Sequence, residues 1–145
     1  MITVNTNNTY FVVSPVDLGD KYTFRPDKIT PFSKHPVLSL CDTVNGCLMV
    51  LDMECRLCDD VHTYYVYGTT DPDLLRGSIS SNDLIHAGKD IAEVTGEIQV
   101  DYSVNAEKVC EVTVDPNIYE DLVYNPIYSD SEEPIQCRLF RYLPE

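Results

Sequence analysis

Alternation of apolar and polar residues is the feature of this sequence that most constrains its fold. From Cys47 to Leu57 every odd position is apolar, while the even positions from 52 to 56 are charged. A period of two places the apolar side chains on one side of an extended strand. The preceding Asn45-Gly46 pair favours a two-residue hairpin turn. The sequence therefore predicts a hairpin whose first strand is the apolar run 37–41 and whose second strand is Cys47 to Leu57.

Further strand signals follow the same rule along the chain. A second hairpin is predicted from the alternation in 98–104 and 110–114, joined by the polar linker 105–108. Single strands are predicted at 2–5, 9–13, 21–24, 61–67 and 135–143. Six or more strands, with one or two short helices in residues 71–94, indicate a mainly β fold. The expected architecture is an antiparallel β-sandwich or open barrel. The helical segments are 71–77 and 80–94.

The length of 145 residues predicts a single acidic globular domain over 1–145. Four prolines make 14–36 an irregular segment with at most one short strand. The chain contains no uncharged apolar run of 18 residues, and Met1 is not followed by a basic and then an apolar region. We therefore expect a soluble protein, either cytoplasmic or nuclear.

Net charge restricts the class of partner. The formal charge is −14, yet the first 50 residues sum to zero. Residues 109–137 contain seven acids and no Lys or Arg. Such a surface repels phosphate groups, so we expect no direct nucleic-acid binding and no anionic membrane binding. The acid either keeps the protein soluble or steers it towards a basic protein surface.

The segment 115–134 is predicted to be an exposed acidic loop. It contains two turn signals, Asp115-Pro116 and Asn125-Pro126, and its tyrosines lie among acids. Exposed aromatic residues anchor a partner while the charge steers it. Asn125 to Tyr128 also matches the NPxY adaptor-binding pattern. The predicted partner-binding residues are Asp115, Tyr119, Glu120, Asp121, Tyr124, Tyr128, Asp130, Glu132 and Glu133.

The six cysteines are interpreted as free thiols. Cys47, Cys55, Cys110 and Cys137 fall on predicted apolar faces, and a reducing compartment keeps thiols reduced. Cys58 is expected to react first with a thiol probe, and Cys41 next. The spacing Cys55-x2-Cys58-x3-His62 leaves a zinc site open, but a fourth ligand would have to come from a distant strand.

The sequence contains no phosphate-binding glycine loop, nucleophile elbow or HExxH motif. A nucleophile pair of His62 with Cys55 or Cys58 would lack both an orienting group and an oxyanion hole. We therefore predict neither an enzyme nor a bound cofactor.

The leading hypothesis is a protein-binding module that docks a basic protein surface, including that of a nucleic-acid-binding protein. Imitation of nucleic-acid charge would make it an inhibitor, and a small acidic Cys- and Tyr-rich domain fits a viral accessory protein. The alternative is a structural or assembly subunit, viral or otherwise, that forms homo-oligomers through β-edges. A thiol- or zinc-dependent protein is the third hypothesis. Salt separates the first two, because steered binding weakens as the Debye length falls.

Overall fold

The computed structural model describes residues 9–29, 35–70, 78–80, 83–84, 91–124 and 135–144. All strand pairs in these ranges are antiparallel, which confirms the mainly β antiparallel fold class. The elements are β1 (Tyr10–Ser14), β2 (Lys21–Phe24), β3 (Leu38–Cys41), α1 (Val44–Met53), β4 (His62–Thr69), β5 (Ser78–Ile79), α2 (Ala92–Thr95), β6 (Glu97–Val100), β7 (Val104–Tyr124) and β8 (Ile135–Pro144).

The strands form one sheet in the order β2-β7-β4-β1-β3-β6-β5, and β8 pairs with β7. A backbone bridge joins Lys28, just after β2, to Val37, just before β3, with N···O distances of 3.0 and 2.8 Å. β2 and β3 lie four steps apart in the strand order, so this bridge joins segments that flank two non-adjacent strands. No described helix has the length and apolar character needed to cross a membrane.

Two apolar clusters cover opposite sides of the sheet. The first lies under α1, where Leu48 packs with Tyr64, Val66 and Val112 of the sheet. The second lies on the other face and joins β2, β3, β4, β6 and β7, with Tyr67 fully buried in it. Side chains that alternate along β4 therefore contribute to both clusters.

The predicted strand from Cys47 to Leu57 is wrong, because residues 44–53 form α1. Alternation holds only if Leu48 and Val50 are ignored, and both are buried together with their odd-numbered neighbours. A continuous apolar run is compatible with a buried helix as well as with a strand. The side chain of Thr43 caps the helix by accepting a 3.0 Å hydrogen bond from the Gly46 backbone N–H.

The predicted hairpin between 98–104 and 110–114 is also wrong. β6 pairs with β3 and β5 rather than with β7. The expected linker 105–108 belongs to β7, where residues 105–107 pair with β2 and Lys108 pairs with β4. A register shift between Val66 and Tyr67 leaves Val109 as an extra, exposed residue in β7. This bulge changes which face the alternating side chains occupy.

The remaining strand predictions at 9–13, 21–24, 37–41, 61–67 and 135–143 are confirmed to within two residues. In the predicted helical segment 80–94, the described residues 83–84 and 92–94 are helical. The strand predicted at 2–5 and the helix predicted at 71–77 lie outside the described residues.

Candidate functional site

The predicted loop 115–134 is a strand over its first ten residues. Residues 115–124 continue β7, and Tyr119 to Tyr124 pair with β8. A register shift between Val114 and Tyr119 contains Pro116, which has no N–H to donate to a ladder. The turn signal at Asp115-Pro116 therefore marks an irregularity within a strand. Residues 125–134, with the NPxY pattern, lie outside the described part of the chain.

Strand alternation separates the predicted partner-binding residues. Tyr119 and Asp121 lie on one face of the β7–β8 ribbon, and Glu120 lies on the other. Glu120 forms an ion pair with Arg141 of β8, in which both side chains are more than half exposed. An exposed pair of this kind adds little to stability, but it neutralises Glu120. Of the predicted set, Tyr119 and Asp121 therefore share a face, whereas Asp115 lies within the register shift that precedes them.

An arginine links this ribbon to α1. The guanidinium of Arg138 donates two hydrogen bonds to the carboxylate of Asp52, one from Nε at 3.1 Å. The same guanidinium lies 5.1 Å from the ring centroid of Tyr119 and 5.2 Å from that of Phe140. The hydrogen bond with Asp52 raises the pKa of Arg138. Tyr119, although 41% exposed, is therefore held in place by a cation–π contact and by an edge contact with Phe140.

A cleft of about 310 Å³ separates the turn after α1 from the bend in β7. Asp52 and Asp59 line one side, and Pro116 and Asn117 line the other. Asp115 is fixed beside the cleft, since its Oδ1 accepts the Asn117 N–H at 2.9 Å. Two acidic segments about sixty residues apart thus meet at one place. The acidic cleft surface, as we name it, consists of Asp52, Asp59, Asp60, Asp115, Tyr119 and Asp121.

The pairing of the first residue of β4 explains why the segments 52–60 and 115–121 meet. His62 pairs with Val114 in the β4–β7 ladder, so the residues before one lie beside those after the other. Asp59 and Asp60 are exposed, and Asp121 is exposed as well. Arg138 is the one basic residue among the described residues lining the cleft, and Asp52 already occupies it. The surface is therefore left with excess negative charge.

The other predicted partner-binding residues cannot be assigned to this surface. Tyr124 ends β7, and its side chain is not among the described atoms. Tyr128, Asp130, Glu132 and Glu133 lie outside the described residues.

The structure corrects the expected order of thiol exposure. Cys41 is buried, and a hydrogen bond with Cys47 together with burial raises the pKa of its thiol. Cys55, predicted on an apolar face, is exposed, and Cys58 is half-buried at the cleft. Tyr64 Oη accepts the Cys58 N–H at 2.8 Å, and burial raises the pKa of Tyr64 to about 12.

Neither the zinc hypothesis nor the nucleophile hypothesis gains support from His62. Its Nε2 donates to the Pro15 carbonyl oxygen at 2.7 Å, and its ring packs against Tyr64. Within the described ranges, no three His, Cys, Asp or Glu side chains lie close enough together to hold a metal ion.

Sequence reasoning missed a buried polar network on the far side of α1. Glu97 and Gln99 alternate with Ile98 and Val100, a pattern that places both on the polar face of a strand, yet both are fully buried. Glu97 Oε2 accepts hydrogen bonds from Ser39 Oγ at 2.7 Å and from Gln99 Nε2 at 3.0 Å. Lys28 Nζ donates to Ser39 and, at 2.7 Å, to Glu54, the residue that follows α1. The signal available in the sequence was Lys28, one of three lysines in the segment 14–36, which predicts no particular partner.

Comparison with known proteins places the chain in no family. No family model matches it, and no curated protein or solved structure is significantly similar.

Proposed function

We propose that the protein is a non-enzymatic binding module that docks a basic protein surface through the acidic cleft surface. The observation that carries the proposal is the convergence of residues 52–60 and 115–121 at one cleft. Acids brought together from two segments produce a stronger local potential than the same acids spread along the chain.

The aromatic residue of the surface supports the same conclusion. Tyr119 is held between Arg138 and Phe140 but leaves 41% of its area exposed. A fixed aromatic side chain loses little conformational entropy on binding, which suits it to anchor a partner. Charge then contributes mainly to the association rate and to the choice of partner.

The proposal is tested with two variants that each remove three negative charges. The test variant is Asp59→Asn/Asp60→Asn/Asp121→Asn, and the control is Asp20→Asn/Asp101→Asn/Glu107→Gln. All six residues are exposed. A partner captured from lysate at about 0.1 M salt is identified, purified and titrated against each form.

We expect the test variant to raise the Kd about tenfold and the control to change the Kd less than about twofold, because only charges near the cleft steer the partner towards it. Raising the salt to about 0.5 M should weaken wild-type binding and reduce the difference in Kd between the wild type and the test variant. Equal losses in both variants would contradict docking at the cleft. Competition by duplex DNA for the partner would identify an inhibitor that imitates nucleic-acid charge.

Self-association through β8 is the second candidate function. Among the described residues β8 pairs only with β7, so no described strand pairs with its other edge. Open edges of this length promote pairing between chains. Light scattering on the purified chain decides between the two, because a salt-resistant dimer favours assembly and a monomer favours the acidic docking surface.

A further inference from the structure

A cavity of about 440 Å³ lies between β1, the segment after β2 and the end of α1. Its volume falls within the range of small-molecule sites, roughly 300–1,000 Å³. Val12, Leu18 and Phe24 line it together with Val37 and Leu51. An apolar group that entered this space would therefore be removed from water on several sides at once.

The loop that closes one side of the cavity is fixed by hydrogen bonds. The Leu18 N–H donates to Tyr67 Oη at 2.9 Å, and that hydroxyl donates to the Gly19 carbonyl oxygen at 2.7 Å. Asp17, on the same loop, forms an ion pair with Lys108 at 2.7 Å. The wall is thus formed before any ligand arrives, which reduces the entropic cost of binding.

Charge around this cavity differs from that of the whole chain. The chain has 24 acidic and 10 basic residues. The charged residues that line the cavity are three basic and two acidic, namely Arg25, Lys28, Arg56, Asp27 and Glu54. Basic side chains therefore outnumber acidic ones in this lining, whereas acidic residues outnumber basic ones more than two to one in the whole chain.

Two of the three basic residues are available to a ligand. Lys28 is engaged by Glu54 and Ser39. Arg25 and Arg56 are exposed, and neither has an ion-pair partner within the described ranges. A guanidinium binds carboxylates through paired hydrogen bonds.

We propose that this cavity binds an organic monoanion with an apolar body. Its anionic group lies at Arg25 and Arg56, and its apolar body lies between Val12, Leu18 and Phe24. The assignment is independent of the proposed docking function, because the two sites share none of their residues.

Octanoate is the probe, with octylammonium and butyrate as ligand controls, and binding is measured by titration calorimetry. Octanoate is expected to bind saturably, and octylammonium is expected not to bind. Butyrate should bind at least about tenfold more weakly, since it has four fewer methylene groups to bury. Equal binding of octylammonium, or no saturable binding of octanoate, would overturn the assignment.

The matched variants each remove two positive charges from exposed side chains. Arg25→Gln/Arg56→Gln is expected to weaken octanoate binding about tenfold. Lys21→Gln/Arg141→Gln alters residues outside the cavity lining and should leave the affinity within about twofold of wild type. If both variants lose affinity equally, the ligand responds to overall charge and the cavity is not its site.

Discussion

Cys55 occupies a backbone position that usually belongs to glycine. Its φ is 57°, in the left-handed region. Its N–H donates to the Asp52 carbonyl oxygen at 3.0 Å, and the Arg56 N–H donates to the Leu51 carbonyl oxygen at 2.8 Å. This pair of hydrogen bonds is a Schellman motif that ends α1 with a non-glycine residue at the left-handed position.

Replacing this cysteine with glycine should therefore stabilise the fold. For Cys55→Gly we expect the free energy of unfolding to rise by about 0.5–1 kcal/mol, because the relief of left-handed strain exceeds the added entropy of the unfolded chain. Cys55→Ala removes the same thiol but keeps the strain, so it serves as the control in urea denaturation. Equal stability of the two variants would contradict the motif.

The order in which the thiols react should follow their burial in the structure rather than the faces assigned to them by strand alternation. We expect Cys55 to react first and Cys58 next, both at the end of α1. Cys41 should react at least about 100-fold more slowly than Cys55, because modification requires an opening of the fold and its raised pKa disfavours the thiolate. Mass spectrometry of the protein after timed labelling with iodoacetamide gives the order. Labelling of Cys41 as early as Cys55 would contradict this placement.

At the scale of elements, α1 depends on a close approach to α2. A Cβ at Gly46 would overlap the Thr95 carbonyl oxygen, so the helix cannot accept a larger residue there without moving. We expect Gly46→Ala to lower the free energy of unfolding by about 2 kcal/mol, since overpacking outweighs the better helix propensity of alanine.

The effect of Asn45→Ala on stability distinguishes the helix α1 from the hairpin turn that the sequence predicts at this position. In a helix, alanine at this position is neutral or slightly stabilising, within about 0.5 kcal/mol. In a two-residue hairpin turn the same change would destabilise, because the turn requires a positive φ. Thermal unfolding of both variants, followed by circular dichroism, therefore tests the helical assignment directly.

The same elements show what the sequence could predict. β4 was found because its run of Tyr and Val residues favours a strand, and β8 was found because its first residues alternate between apolar and polar. α1 was missed because its odd- and even-numbered residues are both buried, so the sequence shows no helical period. Without that period, Asn45-Gly46 was interpreted as a hairpin turn. The partners of β6 and β7 were missed because pairing depends on contacts between distant segments. For the acidic cleft, composition identified 115–121 but could not show that Asp59 and Asp60 lie beside it.

At the scale of the whole molecule, the charges are sorted by position. Acidic residues outnumber basic ones at the cleft between the turn after α1 and the bend in β7, whereas the cavity beside β1 and β2 is lined by three basic and two acidic residues. α1 contributes to both sites, with Asp52 at the first and Leu51 at the second. Two ligands of opposite charge are therefore expected to occupy different parts of one domain.

Amide hydrogen exchange of the protein, free and bound to its purified partner at about 0.1 M salt, tests the docking claim most directly. We expect added protection at residues 55–60 and 117–121, the two segments that meet at the acidic cleft surface. Protection confined to β8 or to the cavity loop 15–19, with exchange at the cleft unchanged, would contradict docking of a basic partner there.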